Sequence, residues 1–130
     1  MNMQKEDEKF VQKGRGELGK FGEQLAEKYL EKIGYKIVAK NFRTRYGEID
    51  IIATDKKTFV FVEVKTRENT KYGEPQFAVT KYKQKHLALA AIIFIKKNFL
   101  NSDYRFDVIA IRDEKIEHIE NAFVPSGFTI

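Results

Sequence analysis

Three charged residues interrupt the two most apolar stretches of this sequence: Asp50 in EIDIIA (Glu48–Ala53), and Glu63 and Lys65 in TFVFVEVK (Thr58–Lys65). Both stretches are β-branched and aromatic, a composition suited to central strands. Asp55-Lys56-Lys57 sits between them, short enough for a hairpin. If Asp55 and Thr58 flank a two-residue turn, or bound a four-residue loop, the antiparallel register sets Asp50 opposite Glu63; a three-residue loop makes them diagonal neighbours. Directly opposed side chains sit about 5 Å apart. Two carboxylates at that separation repel by roughly 3 kcal/mol at an effective dielectric of 20. A bridging divalent cation turns that repulsion into attraction. Strand alternation sets Lys65 on the same face as Glu63, ~7 Å further along. There an ammonium can hold a water, or a developing charge, beside a phosphate. Ile49, Ile51, Val62 and Val64 are expected on the opposite face, burying it.

The ligand inventory narrows the choice of metal. The chain has no cysteine and only two histidines, His86 and His118. Disulfide scaffolds and cysteine-ligated zinc or iron–sulfur sites are therefore excluded, and an all-histidine site is not expected. Oxygen-only ligation points to Mg²⁺ or Mn²⁺. Taken alone, Glu-Val-Lys on a strand is the pattern of a solvated ion pair, and Asp50 that of a strand-end residue. Their position inside the most apolar strands weighs against solvation.

The elements that must position these groups follow from periodicity. At 130 residues the chain fits one domain with one core. A third of its residues are charged, 42% are hydrophobic, and the net charge is +5, a globular balance that permits a polyanionic partner without demanding one. Residues 1–16 alternate in charge without a period and read as a mobile arm, leaving 17–130 as the single domain. Leu18, Phe21, Leu25, Ala26, Tyr29, Leu30 and Ile33 form a helical stripe closed by Gly34. Strands are expected at Tyr35–Phe42, in the two stretches above, at Tyr104–Arg112 and at Lys115–Phe123, with a second helix from Thr80 to about Phe99. The order is αβββαββ, an α/β class with an initial meander. Glu23 lies roughly 110° from the centre of the first helix's apolar stripe, nearer than Glu17, Glu27 or Glu31. It is the acid best placed to reach over the helix flank, with a surface glutamate an equal reading.

The pattern of Asp50, twelve residues, then Glu63-Val64-Lys65 resembles the core of the PD-(D/E)XK, or restriction-endonuclease-like, nuclease superfamily. More specifically, GKFGEQLAEKYLEKIGYKIVAKNFR, YGEIDIIA, FVEVKTR, YGEPQFAVTKYKQKHL and RFDVIAI look like the YraN-like family of small bacterial proteins, which is similar to archaeal Holliday junction resolvases. The likeness runs from about Gly16 to Ile111. It departs from the superfamily name in that Ile49, not proline, precedes the acid. The resemblance implies a central mixed sheet flanked by helices and a Mg²⁺-dependent phosphodiesterase centre. Asp50 and Glu63 would be metal ligands, joined by the Val64 carbonyl. Lys65 would orient or activate the attacking water, Glu23 would complete the acidic cluster, and Gln84 would lie close by as an accessory or as an ordinary polar helix residue.

Phosphate binding would fall to Arg43 and Arg45 before Gly47, to Arg67 and Lys71 after Lys65, and to Lys81, Lys83 and Lys85 at the start of the second helix. Between Lys65 and Lys85 six basic residues face only Glu68 and Glu74, leaving +4 of the chain's +5. Backbone neutralisation is how such surfaces bind nucleic acid without sequence preference; the alternative is a solvated loop and helix N-terminus, although lysines at a helix start oppose the macrodipole, so helix stability does not explain them. Tyr46 and Tyr72 could stack on bases or pack locally. Asp107 is expected to have a structural partner such as Arg105 or Arg43.

These features favour a metal-dependent nuclease acting on branched or single-stranded nucleic acid, DNA in preference to RNA. The alternatives are a nucleic-acid-binding protein with little turnover, or an adaptor that keeps only the fold. Junction cleavage needs two sites on a two-fold axis, and Phe94, Phe99 and Phe123 are apolar positions that could supply a homodimer interface. The N-terminus has no apolar segment of a signal peptide. The longest apolar run, Leu87–Ile95, is nine residues against the roughly 20 of a membrane span. A cytoplasmic protein without a membrane partner is expected.

Overall fold

The computed structural model describes residues 19–67, 79–98 and 101–125. The proposed arm, the loop carrying Lys71 and Tyr72, and Phe99 lie outside them. The architecture is mixed α/β: a five-stranded mixed sheet with one helix on each face. Helix α1 covers residues 19–32. It is followed by β1 (Lys36–Thr44), β2 (Gly47–Asp55), β3 (Thr58–Arg67), α2 (Lys81–Lys97), β4 (Tyr104–Arg112) and β5 (Lys115–Phe123). The strands lie in sequence order across the sheet. All neighbours are antiparallel except β3 and β4, which run parallel, as a connection through a crossover helix requires.

Local chemistry fixes the ends of these elements. At the close of α1 the Gly34 amide donates to Glu31 O and the Tyr35 amide to Leu30 O, with Gly34 at φ +100° as the expected breaker. Thr80 caps α2 by accepting from the Lys83 amide, and Asn98 closes it onto Phe94 O. Asp113 and Glu114 both take positive φ, the backbone of a two-residue hairpin turn matched to strand twist.

Two buried clusters sandwich the sheet. On the α2 side Leu87, Ala91, Phe94 and Ile95 pack against Ile49, Ile52, Phe61, Phe106 and Val108. On the α1 side Ala26 and Leu30 pack with Tyr35, Ile51, Ala53, Val60, Val62, Ile109 and Ile111. Helix α1 approaches β3 closely because residue 22 is glycine: a Cβ there would collide with Thr66 Oγ1. Phe94 is buried beneath the sheet, and Phe123 stacks on Phe106 at 5.3 Å between centroids. Phe94 therefore belongs to the core, whereas Phe123 stays half-exposed on the edge strand β5.

The hairpin register is the one anticipated. Asp55 pairs with Thr58 and the ladder runs to Ile51 opposite Val62, so the next step brings Asp50 to Glu63. One face assignment requires correction. Ile51, Val62 and Val64 lie on the α1 side as expected, but Ile49 packs on the α2 side together with Ile52. Strict alternation cannot put residues three apart on one face. Ala39 and Phe42 of β1, likewise three apart, also contact the α2-side core. Between them Asn41 adopts φ +52°, a left-handed conformation that asparagine tolerates better than most residues. The irregularity crosses both strands at the level of Asp50.

Candidate active site

Asp50 sits at this break. The regular β2–β3 pairing ends at Ile51–Val62, and beyond it the Val64 amide donates to Asp50 Oδ2 at 2.8 Å. A side chain has taken over a ladder position, so the strands part there. Asp50 lines an open cavity of about 240 Å³ under α1, shared with Glu23, Glu27, Lys40 and Asn41. Glu23 accepts from Asn41 Nδ2 at 3.1 Å. Helix α1 thus does carry Glu23 over its flank to the sheet, and Asn41, an unremarked residue of KNFR, receives it.

Glu63 follows Phe61 on the α2 side and is only 4% exposed. Its Oε2 is 3.4 Å from Lys65 Nζ and 3.4 Å from Lys83 Nζ. Its Oε1 is buried without a hydrogen-bond partner among the described residues, an uncommon and costly condition for a carboxylate oxygen. Burial, reinforced by the Glu63 charge and opposed by the Val64 amide, pushes Asp50 up to about 8; Glu23 and Glu48 add smaller upward contributions. An acid pushed up by desolvation beside a second carboxylate is characteristic of sites where another group supplies positive charge.

The basic residues divide. Lys65 and Lys83 reach Glu63, and Lys83 lines a second open groove with Arg45, Tyr46 and His86. Arg43 is exposed and pairs with Glu48 at 3.3 Å. Lys81 and Lys85 are exposed on α2, and Arg67 closes β3, its Nη1 donating to Thr66 O. Gln84 uses its side-chain amide on Val79 O at 3.0 Å, anchoring the approach to α2. The contact between Lys83 and Glu63 was invisible to local spacing, because the residues lie on separate elements, far apart in sequence.

The donor set suits a hard divalent cation. Asp50 and Glu63 supply oxygens, Glu63 Oε1 lacks a partner, and Mg²⁺ sites commonly combine one or two carboxylates with waters and substrate phosphates. Among the described residues no three acidic or histidine side chains converge on one point. Protein ligation would therefore rest on these two acids and backbone oxygen, with Glu23 held back on Asn41.

A second buried acid has a different character. Asp107 is fully buried and receives Arg105 Nε at 3.0 Å and Nη2 at 3.2 Å. His118 Nε2 lies at 2.7 Å and the Asn121 amide donates at 2.9 Å. Burial alone would raise its pKa, but the hydrogen bonds from His118, Arg105 and Asn121 outweigh it and hold the carboxyl below its usual range. With Nε2–H donating to Asp107, His118 Nδ1 can accept from the Tyr29 hydroxyl 3.0 Å away. Arg105 is the partner expected from the sequence; His118 was not foreseen, since one histidine on an edge strand gives no local signal.

The fold and site together define a mixed α/β domain with a carboxylate pair, Glu63 buried and Asp50 half-buried, and two lysines where its sheet parts. Residues 22–111 match the Uncharacterised protein family UPF0102, and the chain belongs to that family, the YraN-like group its motifs resemble. It is 55% identical over 111 residues to a UPF0102 protein of Thermodesulfovibrio yellowstonii, covering 84% of this chain and 97% of that one. A UPF0102 protein of Geobacter sulfurreducens is 52% identical over 112 residues, covering 82% and 88% respectively. One from a Sulfurihydrogenibium species is 48% identical over 106 residues, covering 81% and 92%. Among the described residues no helix is long and apolar enough to cross a membrane.

Proposed function

We propose that this protein is a metal-dependent nuclease on a restriction-endonuclease-like fold, hydrolysing phosphodiesters of branched or single-stranded nucleic acid, DNA in particular. The observation that carries the reading is the pairing of half-buried Asp50 with buried Glu63, with Glu63 Oε1 unpartnered among the described residues and Lys65 Nζ 3.4 Å from the other oxygen. Asp50, Glu63 and the Val64 carbonyl would hold Mg²⁺ or Mn²⁺, which when bound supplies positive charge to the phosphate and eases deprotonation of water. Lys65 orients the water and faces the charge that builds on the phosphoryl oxygens. In the reaction a water oxygen bonds to phosphorus, one phosphorus–ester oxygen bond breaks, and the departing alkoxide takes up a proton. Glu23 adds negative charge on the α1 side of Asp50. Arg43, Arg45, Arg67, Lys71, Lys81 and Lys85 neutralise neighbouring phosphates.

A second reading is favoured by one contact. Lys83, beside Lys65, already compensates Glu63, which suits a nucleic-acid-binding protein with little turnover. A cleavage panel of branched DNA, flaps, single strands and RNA in Mg²⁺ and Mn²⁺ separates the two. The nuclease reading expects divalent-dependent cleavage, abolished by Asp50→Asn and by Lys65→Ala with binding retained. Steeply salt-dependent binding without cleavage in either metal supports the second reading and overturns the first.

A further inference from the structure

A groove of about 300 Å³ lies between the β1–β2 turn and the first turns of α2, next to the candidate site and joined to it by Lys83. Its walls are aromatic and cationic. Tyr82 is 74% exposed and belongs to neither buried cluster. One side of its ring rests on His86 at 4.2 Å between centroids, with an interplanar angle of 47°. His86 is fixed in turn, its Nδ1 lying 2.6 Å from Tyr46 O. Gly47 holds the turn at φ +155°, a conformation glycine adopts without strain, and packs beside His86, where a Cβ would make ordinary contact at 3.5 Å. On the far wall the Arg45 guanidinium lies over the Tyr46 ring, 5.2 Å from its centroid. The acid of this wall, Glu48, is paired with Arg43.

An aromatic face held open on a fixed support, flanked by cations, has the chemistry of a base-stacking platform. The bases of a duplex already stack on one another and cannot use such a face; an unpaired base can. We propose that this groove is a stacking subsite for one unpaired nucleobase of a single-stranded nucleic acid. The base lies against Tyr82, and Arg45 and Lys83 take the flanking phosphate. The inference rests on the nucleic-acid reading above for its ligand class, and it deepens that reading by assigning single-stranded character to the segment entering the site. The volume is at the small end of organic-ligand pockets, suited to one base.

The test is binding by the full chain in EDTA, which removes turnover, using a labelled oligothymidylate of about 12 nucleotides and a duplex of the same length. Tyr82→Ala is expected to weaken strand binding about tenfold, with the salt slope unchanged, duplex binding unaffected and Tyr82→Phe restoring affinity. Lys83→Gln is expected to flatten the salt slope by about one. Because the chain has no tryptophan, Tyr82→Trp installs a single reporter, expected to be quenched by the strand but not by an abasic strand of equal length. Unchanged affinity in Tyr82→Ala, an equal loss on duplex, or no strand binding by the unmodified protein overturns the subsite. Divalent-dependent cleavage that ignores Tyr82→Ala removes the subsite and leaves the nuclease. Stacking without cleavage in any divalent metal removes the nuclease and leaves the subsite.

Discussion

Two buried acidic centres occupy this small sheet, and they are solved in opposite ways. Asp107, on the parallel strand β4, is surrounded by donors from its own chain: Arg105 on both oxygens, the Asn121 amide on one and His118 on the other. Its carboxyl is held below the usual range. Asp50, two strands away on β2, and Glu63, on the neighbouring β3, receive one backbone amide and two lysines between them and keep one buried oxygen without a partner among the described residues. There the Asp50 carboxyl is pushed up to about 8, first by burial and then by Glu63. The same fold can therefore satisfy a buried carboxylate completely. The incomplete centre, set where β2 and β3 part, has the character of a site kept for an external partner.

The contrast is sharpest on removing a charge. Asp107→Ala leaves the half-buried Arg105 without its main partner and should cost about 3–5 kcal/mol, measured by urea unfolding. The wild-type contribution of Asp107 is complete above its unfolded pKa near 3.8 and is lost as pH falls through the lower folded value. A loss below about 1 kcal/mol would break the comparison by making Asp107 as dispensable as a surface acid. Gly22→Ala acts on the element common to both centres, since α1 presents Glu23 to the cavity of Asp50 and Tyr29 to His118. The collision with Thr66 should cost about 1–3 kcal/mol, and an unchanged melting temperature would contradict the close approach.

Asp50→Asn should do the reverse of Asp107→Ala. A folded pKa raised from 3.8 to about 8 means that ionisation disfavours the fold increasingly as pH rises through that window. Asparagine retains an acceptor for the Val64 amide. The variant should therefore gain stability on the order of 1 kcal/mol at pH 8 and little near pH 4, as read from paired melting curves. Destabilisation at pH 8 would mean that Asp50 is a structural acid like Asp107.

Much of this arrangement was legible in the sequence where local chemistry decides it. The Lys56-Lys57 turn sets the hairpin register that carries Asp50 towards Glu63, and strands β4 and β5 keep the bounds their patterns indicate. The side chosen by Ile49 was not legible, because the left-handed Asn41 suspends the two-residue alternation on which such an assignment depends. The contacts of Lys83 with Glu63 and of His118 with Tyr29 were missed for another reason. Their partners are far away in sequence, and no local period encodes a contact between a helix and a distant strand.

The central claim is that the incomplete centre is completed by a divalent cation, and titration of the protein with Mn²⁺, followed by calorimetry, addresses it most directly. Binding at a single site in the wild type, lost in both Asp50→Asn and Glu63→Gln but kept in Asp107→Asn, is the predicted result. No binding, or binding indifferent to Asp50 and Glu63, would contradict it.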